Sequence, residues 1–147
     1  MKATDLLRKQ HRELEGLFAK LLKSEDTMLR KSLALEISSM LEIHMTIEET
    51  FSYPAYRQVV GSKRADGLLL EGYEEHHVVD LLLAELPRAE LSAERFEAKM
   101  KVLKEILDHH VAEEEREMFP EAERRLEQER LEELGAKMGE RASHLST

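Results

Sequence analysis

A chain of 147 residues has the length of one ordinary domain and can bury a real core. Its formal charge of −9 argues against a nucleic-acid backbone or an anionic membrane surface as partner, and the absence of cysteine removes disulfides, thiolate ligands and thiol nucleophiles. A hydrophobic fraction of 41% excludes a disordered chain, and the dominance of Leu, Glu, Ala, Lys and Arg without alternating β-branched runs makes all-α the expected class.

Five helical segments follow from periodicity and punctuation. The first is expected from an N-cap at Thr4 to about Lys23, with Leu7, Leu14, Leu17, Phe18 and Leu21 on one face. The second starts between Ser24 and Thr27 and carries Leu33, Ile37, Met40, Leu41, Ile47 and Phe51; Pro54 is expected to end or kink it. A loop at Gly61 and Ser62 leads to the third, about Lys63 to Leu86, bearing Leu69, Tyr73, Val79, Leu82, Leu83 and Leu86. The fourth starts near Ser92, carries Phe96, Met100, Leu103 and Leu107, and runs to Pro120. A fifth helix beyond Pro120 shows a thin apolar line of Leu126, Leu134 and Met138, weakened by Gly135 and Gly139, with a frayed tail from 140. The expected architecture is an up-down-up-down four-helix bundle over residues 1–120, with residues 121–147 as an additional C-terminal helix and tail of the same domain. No apolar run reaches the length of a signal peptide or membrane span, so the expected setting is cytoplasmic.

The chain is internally doubled. IHMTIEETFSYP (43–54) aligns without a gap on HHVAEEEREMFP (109–120), placing His44 on His110, Glu48 on Glu114, Glu49 on Glu115, Tyr53 on Phe119 and Pro54 on Pro120. His11 and His76 are each followed by apolar residues at +3, +6, +7 and +10. Residues four apart share a helical face. His44 with Glu48, and His110 with Glu114, therefore interrupt apolar stripes, and His11 and His76 lie on inward lines of their own helices.

Six polar groups aimed at one core are costly. A buried polar group without a partner costs roughly 1–3 kcal/mol, against about 5–15 kcal/mol of net stability for a whole domain. Each histidine alone reads as a hydrogen-bonded core residue, and each HxxxE alone as a surface pair. Six in matching register read as a metal centre, and six ligands with two carboxylates able to bridge suit two cations better than one. The repeat register chooses His76 over His77 and His110 over His109, leaving His77 and His109 as flanking residues and His144 in the tail.

The order H, HxxxE, H, HxxxE over about residues 5–120 resembles the haemerythrin-like family, also called HHE cation-binding domains. The resemblance implies one iron held by His11 and His44 and another by His76 and His110. Glu48 and Glu114 would bridge these Fe2+/Fe3+ ions, with a solvent-derived oxygen between them. It also implies chemistry on a small diatomic or peroxide ligand: dioxygen, peroxide or nitric oxide. Two features depart from the dioxygen-carrying members. Their fifth histidine is replaced by Gly72, and Glu114 stands four residues after its histidine where they place an aspartate at five. Gly72 leaves space beside the expected metal. Tyr73, three residues before His76, is expected on the same inward face, either as a ligand or hydrogen-bond donor or as a plain core aromatic.

Three functions compete on these grounds. One is a redox-active di-iron protein, including a peroxide- or nitric-oxide-directed oxidoreductase. The second is an iron-binding or oxygen-sensing module acting through a separate partner protein. The third is a metal-free structural bundle.

Overall fold

The computed structural model describes residues 1–88 and 92–147. Its elements are α1 (Ala3–Lys23), α2 (Thr27–Ile47), a π-helical turn π1 (Glu48–Ser52), α3 (Tyr53–Val60), α4 (Lys63–Glu85), α5 (Ala93–Glu113), π2 (Glu114–Met118), α6 (Phe119–Arg125) and α7 (Gln128–Leu145). No strand occurs among the described residues. α1 pairs with α2, and α4 pairs with α5, so the four long helices form the expected bundle from two hairpins.

Helix starts follow local chemistry. The Asp26 carboxylate accepts from the Met28 and Leu29 amides, Ser62 Oγ from Ala65, and Ser92 Oγ from Arg95. Thr4 is not the expected cap. The cap position falls two residues earlier, at Lys2, and the buried Thr4 hydroxyl donates to Glu123 Oε2 at 2.9 Å, tying α1 to α6.

Pro54 and Pro120 do not end their helices. Both helices run on through them, because each proline is preceded by a π turn. A proline ring clashes with the carbonyl four residues back and offers that carbonyl no N–H. One extra residue in the preceding turn removes the conflict: the Tyr53 amide bonds to Glu48 C=O and the Phe119 amide to Glu114 C=O, five residues back in each case. Both π turns begin on the glutamate of an HxxxE pair.

The chain after Pro120 also differs from the expectation. α6 continues the fourth bundle helix to Arg125, and the break falls at Leu126, whose backbone is extended. α7 then packs on α1 and α2 and stays helical to Leu145, with Leu131, Leu134 and Met138 buried. Gly135 is where that packing is closest. A β-carbon there would lie 1.9 Å from the Met1 carbonyl oxygen, so only glycine permits the approach.

The apolar core lies in two parts. One holds Leu14, Phe18, Ile37, Leu41, Val79, Met100, Leu103 and Leu107. The other holds Leu7, Ile47, Tyr53, Leu69, Met118, Phe119, Leu134 and Met138. The polar positions of the sequence pattern fall between them along every helix, as His44 does between Leu41 and Ile47, and His11 between Leu7 and Leu14.

Candidate metal centre

All six residues of the repeated pattern are brought together and buried. Exposure is 0% for His11 and Glu48, 1% for His44 and Glu114, 3% for His76 and 5% for His110, so none keeps its hydration. The histidines form two pairs, His11 with His44 and His76 with His110, each with ring centroids 4.9 Å apart. Both carboxylates reach both pairs. Glu48 Oε1 lies 3.3 Å from His44 Nε2 and 3.1 Å from His76 Nε2. Glu114 Oε1 lies 3.1 Å from His11 Nε2, and its Oε2 lies 3.0 Å from His110 Nε2.

The outer edge of each ring is held as well. His11 Nδ1 lies 2.7 Å from Glu115, His76 Nδ1 2.7 Å from Glu49, and His110 Nδ1 2.7 Å from Glu75, while His44 Nδ1 lies 2.6 Å from Gln10 Oε1. A carboxylate or amide oxygen only accepts, so Nδ1 carries the proton in each ring. In the neutral imidazole the Nε2 lone pair then points inward. This is the arrangement that fixes a ligating histidine's tautomer and raises its basicity.

The donor set fits cations. Imidazole nitrogen and carboxylate oxygen are both donors to transition metals. Nitrogen–oxygen separations of 3.0–3.3 Å correspond to neighbouring donors around one ion, since bonds of about 2.1 Å at right angles set donors roughly 3 Å apart. Two buried atoms of the cluster, His44 Nε2 and Glu48 Oε2, have no hydrogen-bond partner within the protein. Buried atoms of that kind call for a further partner.

Electrostatics without a metal shows the same tension. Burial opposes charge on His11, His76 and His110, yet the adjacent Glu114 and Glu48 carboxylates outweigh it and hold all three above the ordinary histidine value, His110 most strongly. For His44, burial wins over Glu48 and depresses the ring to about 4. Burial pushes Glu48 upward, but His44 and bonds from its other neighbours bring it well below the usual carboxylate range.

The aromatic residue at the centre is Tyr53, not Tyr73. Tyr73 is 38% exposed and meets the site only through an edge-on contact with the Tyr53 ring, at 5.3 Å between centroids. Tyr53 is 1% exposed. Its ring stacks on His76 at 5.5 Å, and its hydroxyl donates to Glu114 Oε2 at 2.9 Å while lying 3.3 Å from Nε2 of both His76 and His110. Burial, reinforced by the Glu114 and Glu48 carboxylates, raises the phenol well above its ordinary value. The π turn explains why helical spacing misplaces it. At about 100° per residue, Tyr53 would stand roughly 140° round from Glu48. Closing the turn on a five-residue bond brings Tyr53 over Glu48, where an α-helix would put residue 52. Phe119 is its counterpart, stacked on His11 at 5.7 Å.

The space at Gly72 is likewise taken by Tyr53: a β-carbon at Gly72 would lie 3.0 Å from the Tyr53 hydroxyl. His77 is exposed. His109, 58% exposed, lies outside the centre, 3.4 Å from Glu113, 3.6 Å from Glu75 and 3.7 Å from Glu71. Gln10, Glu49, Glu75 and Glu115 had no assigned role from spacing. Their signal is adjacency: each either precedes a first-position histidine or follows an HxxxE glutamate.

Comparison with known proteins agrees with this geometry. The chain is 34% identical to the uncharacterized protein Rv2633c of Mycobacterium tuberculosis, over 99% of this chain and 88% of that protein. It is 28% identical to a DNA nickase of a Nostoc species, over 90% of this chain but 36% of that protein. A crystal structure of a Hemerythrin HHE cation binding domain-containing protein, the Rv2633c homolog from Mycobacterium kansasii, superposes with a TM-score of 0.81 at 29% identity, covering 99% of this chain and 87% of that one. The profile of the Hemerythrin HHE cation binding domain matches residues 2–122, which span all six clustered side chains, and the chain belongs to that family.

Proposed function

We propose that this protein holds two iron ions, joined by a bridging oxygen, between the His11–His44 and His76–His110 pairs, with Glu48 and Glu114 spanning both, and that it binds or reduces a small oxidant there. The observation that carries this reading is the orientation of the four rings: every Nδ1 is engaged outward, and every Nε2 lies within 3.3 Å of a buried Glu48 or Glu114 oxygen. Bound iron supplies electrons and exchangeable coordination positions, since six protein ligands cannot saturate two six-coordinate ions.

The chain's own residues supply the rest. Glu49, Glu75, Glu115 and Gln10 orient the imidazoles and hold their protons on Nδ1. Leu41, Val79 and Leu107 on one side, and Ile47, Met118 and Phe119 on the other, exclude bulk water. The Tyr53 hydroxyl is a buried donor beside Glu114, His76 and His110, placed to hydrogen-bond a small molecule at the centre. A cavity of about 650 Å³ reaches Tyr53 from outside, lined also by Phe51, Leu69, Tyr73, Arg57 and Lys137.

The test is anaerobic iron loading of the purified chain, elemental analysis, and absorption spectra under air, peroxide and nitric oxide. Two irons per chain and a spectral response to an oxidant are expected. Repeated peroxide turnover marks an enzyme; a stable change without turnover marks a sensing module. Glu48→Ala and Glu114→Ala should each lose iron, whereas His77→Ala and His109→Ala should keep it. Fewer than one iron per chain overturns the reading.

A further inference from the structure

The internal repeat gives the centre its own control. Glu115 meets His11 as Glu49 meets His76, both at 2.7 Å. Gln10 meets His44 as Glu75 meets His110, at 2.6 and 2.7 Å. Three of these four outer acceptors are carboxylates, and only Gln10 is neutral.

Other departures from the repeat run the same way. Phe119, without a hydroxyl, stacks on His11 where Tyr53 stacks on His76. Arg12 pairs with Glu115 at the outer edge of His11, while Arg8, over the Phe119 ring, is itself paired with Glu123 and Asp5. On the opposite half Glu75 instead shares its surroundings with Glu71 and Glu113 beside His109. At the outer acceptors, where Gln10 stands for a carboxylate and Arg12 offsets Glu115, the His11–His44 half is the less negative one.

We propose that Gln10 makes the two cation positions unequal, so that the His76–His110 half binds first and the His11–His44 half is the weaker, exchangeable position. This rests on the dinuclear reading above. A carboxylate on Nδ1–H strengthens the donor at Nε2 and adds negative charge near the ion; an amide accepts the same hydrogen bond without the charge. Replacing such an outer partner changes metal affinity by about 10- to 100-fold, which is the separation expected between the two positions. Gln10 is a positioning residue, acting through the His44 ring.

The measurement is an anaerobic titration of the metal-free full chain with Co2+, followed by calorimetry and visible absorption. The unmodified chain should bind in two steps about 10- to 100-fold apart. Gln10→Glu should strengthen the weaker step and merge the two, while Glu75→Gln should weaken the stronger step. His44→Ala should abolish the weak step and His110→Ala the strong one. Circular dichroism of each variant separates unfolding from a change at the site. Two equal steps in the unmodified chain, or a folded Gln10→Glu with unchanged separation, overturn the inference alone. No cobalt bound at all overturns the dinuclear reading and this inference with it.

Discussion

The Tyr53 hydroxyl sits 3.0 Å from where Gly72 would carry a β-carbon. The two residues lie on different helices, α3 and α4, and the missing side chain of one is the seat of the other. Gly72 is in mid-helix, where glycine-to-alanine normally stabilises by about 0.5–1 kcal/mol. Here the gain is expected to vanish, because an alanine methyl crowds a hydroxyl fixed by Glu114 at 2.9 Å. Tyr53→Phe removes that hydroxyl and leaves the ring carbon as nearest atom, at 3.4 Å, an ordinary contact. A thermal double-mutant cycle checks this: Gly72→Ala should be neutral or destabilising alone and stabilising in the Tyr53→Phe background. The same gain in both backgrounds would refute the contact.

Removing metal should cost stability as well as chemistry. A ligand present at a thousand times its dissociation constant stabilises the folded state by about 4 kcal/mol. For a domain of this length each kcal/mol corresponds to roughly 2–4 °C in Tm, so the loaded protein should melt roughly 8–16 °C above the chelator-treated protein. Identical melting curves would show that the buried cluster is satisfied without a cation.

The same physics shows what was legible in the sequence. His11, His44, Glu48, His76, His110 and Glu114 could be read because each interrupts an apolar line at α-helical spacing, and those lines are α-helical up to Glu48 and Glu114. His76 was separable from His77 for the same reason: only one of the two extends the apolar line. Tyr53 was not legible because it follows a π turn, after which residue counting no longer gives direction. Tyr73 took its expected place by strict periodicity, and the structure leaves it at the rim. The course of α7 was hidden for another reason. Its seat on α1 depends on Gly135 meeting the Met1 backbone, a long-range contact, while glycine seen locally reads only as a helix weakener.

In the metal-free protein, acidity should act on the two histidine types in opposite directions. His44 is held near 4 by burial, below the unfolded value of about 6.5. The unfolded chain therefore takes up this proton first, and the contribution of a neutral His44 is complete above about pH 6.5 and lost as pH falls towards 4. His110 is raised by Glu114 and Glu48, so its contribution is present below about 6.5 and lost as pH rises through its folded value. Urea denaturation across pH should show His44→Phe reducing the acid-side loss and His110→Phe reducing the alkaline-side loss. The opposite assignment would mean that burial does not govern His44.

Two glycines of α7 should respond to the same substitution with opposite sign. A β-carbon at Gly139 meets nothing within 4 Å, so Gly139→Ala should stabilise by about 0.5–1 kcal/mol through helix propensity. At Gly135 the same methyl would lie 1.9 Å from the Met1 carbonyl oxygen and 2.9 Å from the Ala3 amide nitrogen, both backbone atoms that cannot rotate away. Gly135→Ala must therefore push α7 off the start of α1, at a cost of roughly 1–3 kcal/mol typical of overpacking. Hydrogen exchange should show the disturbance in α7 and the first turn of α1, with the amides around His44 and His110 unchanged. A stabilised Gly135→Ala would show that α7 and the N-terminal residues do not pack in this register.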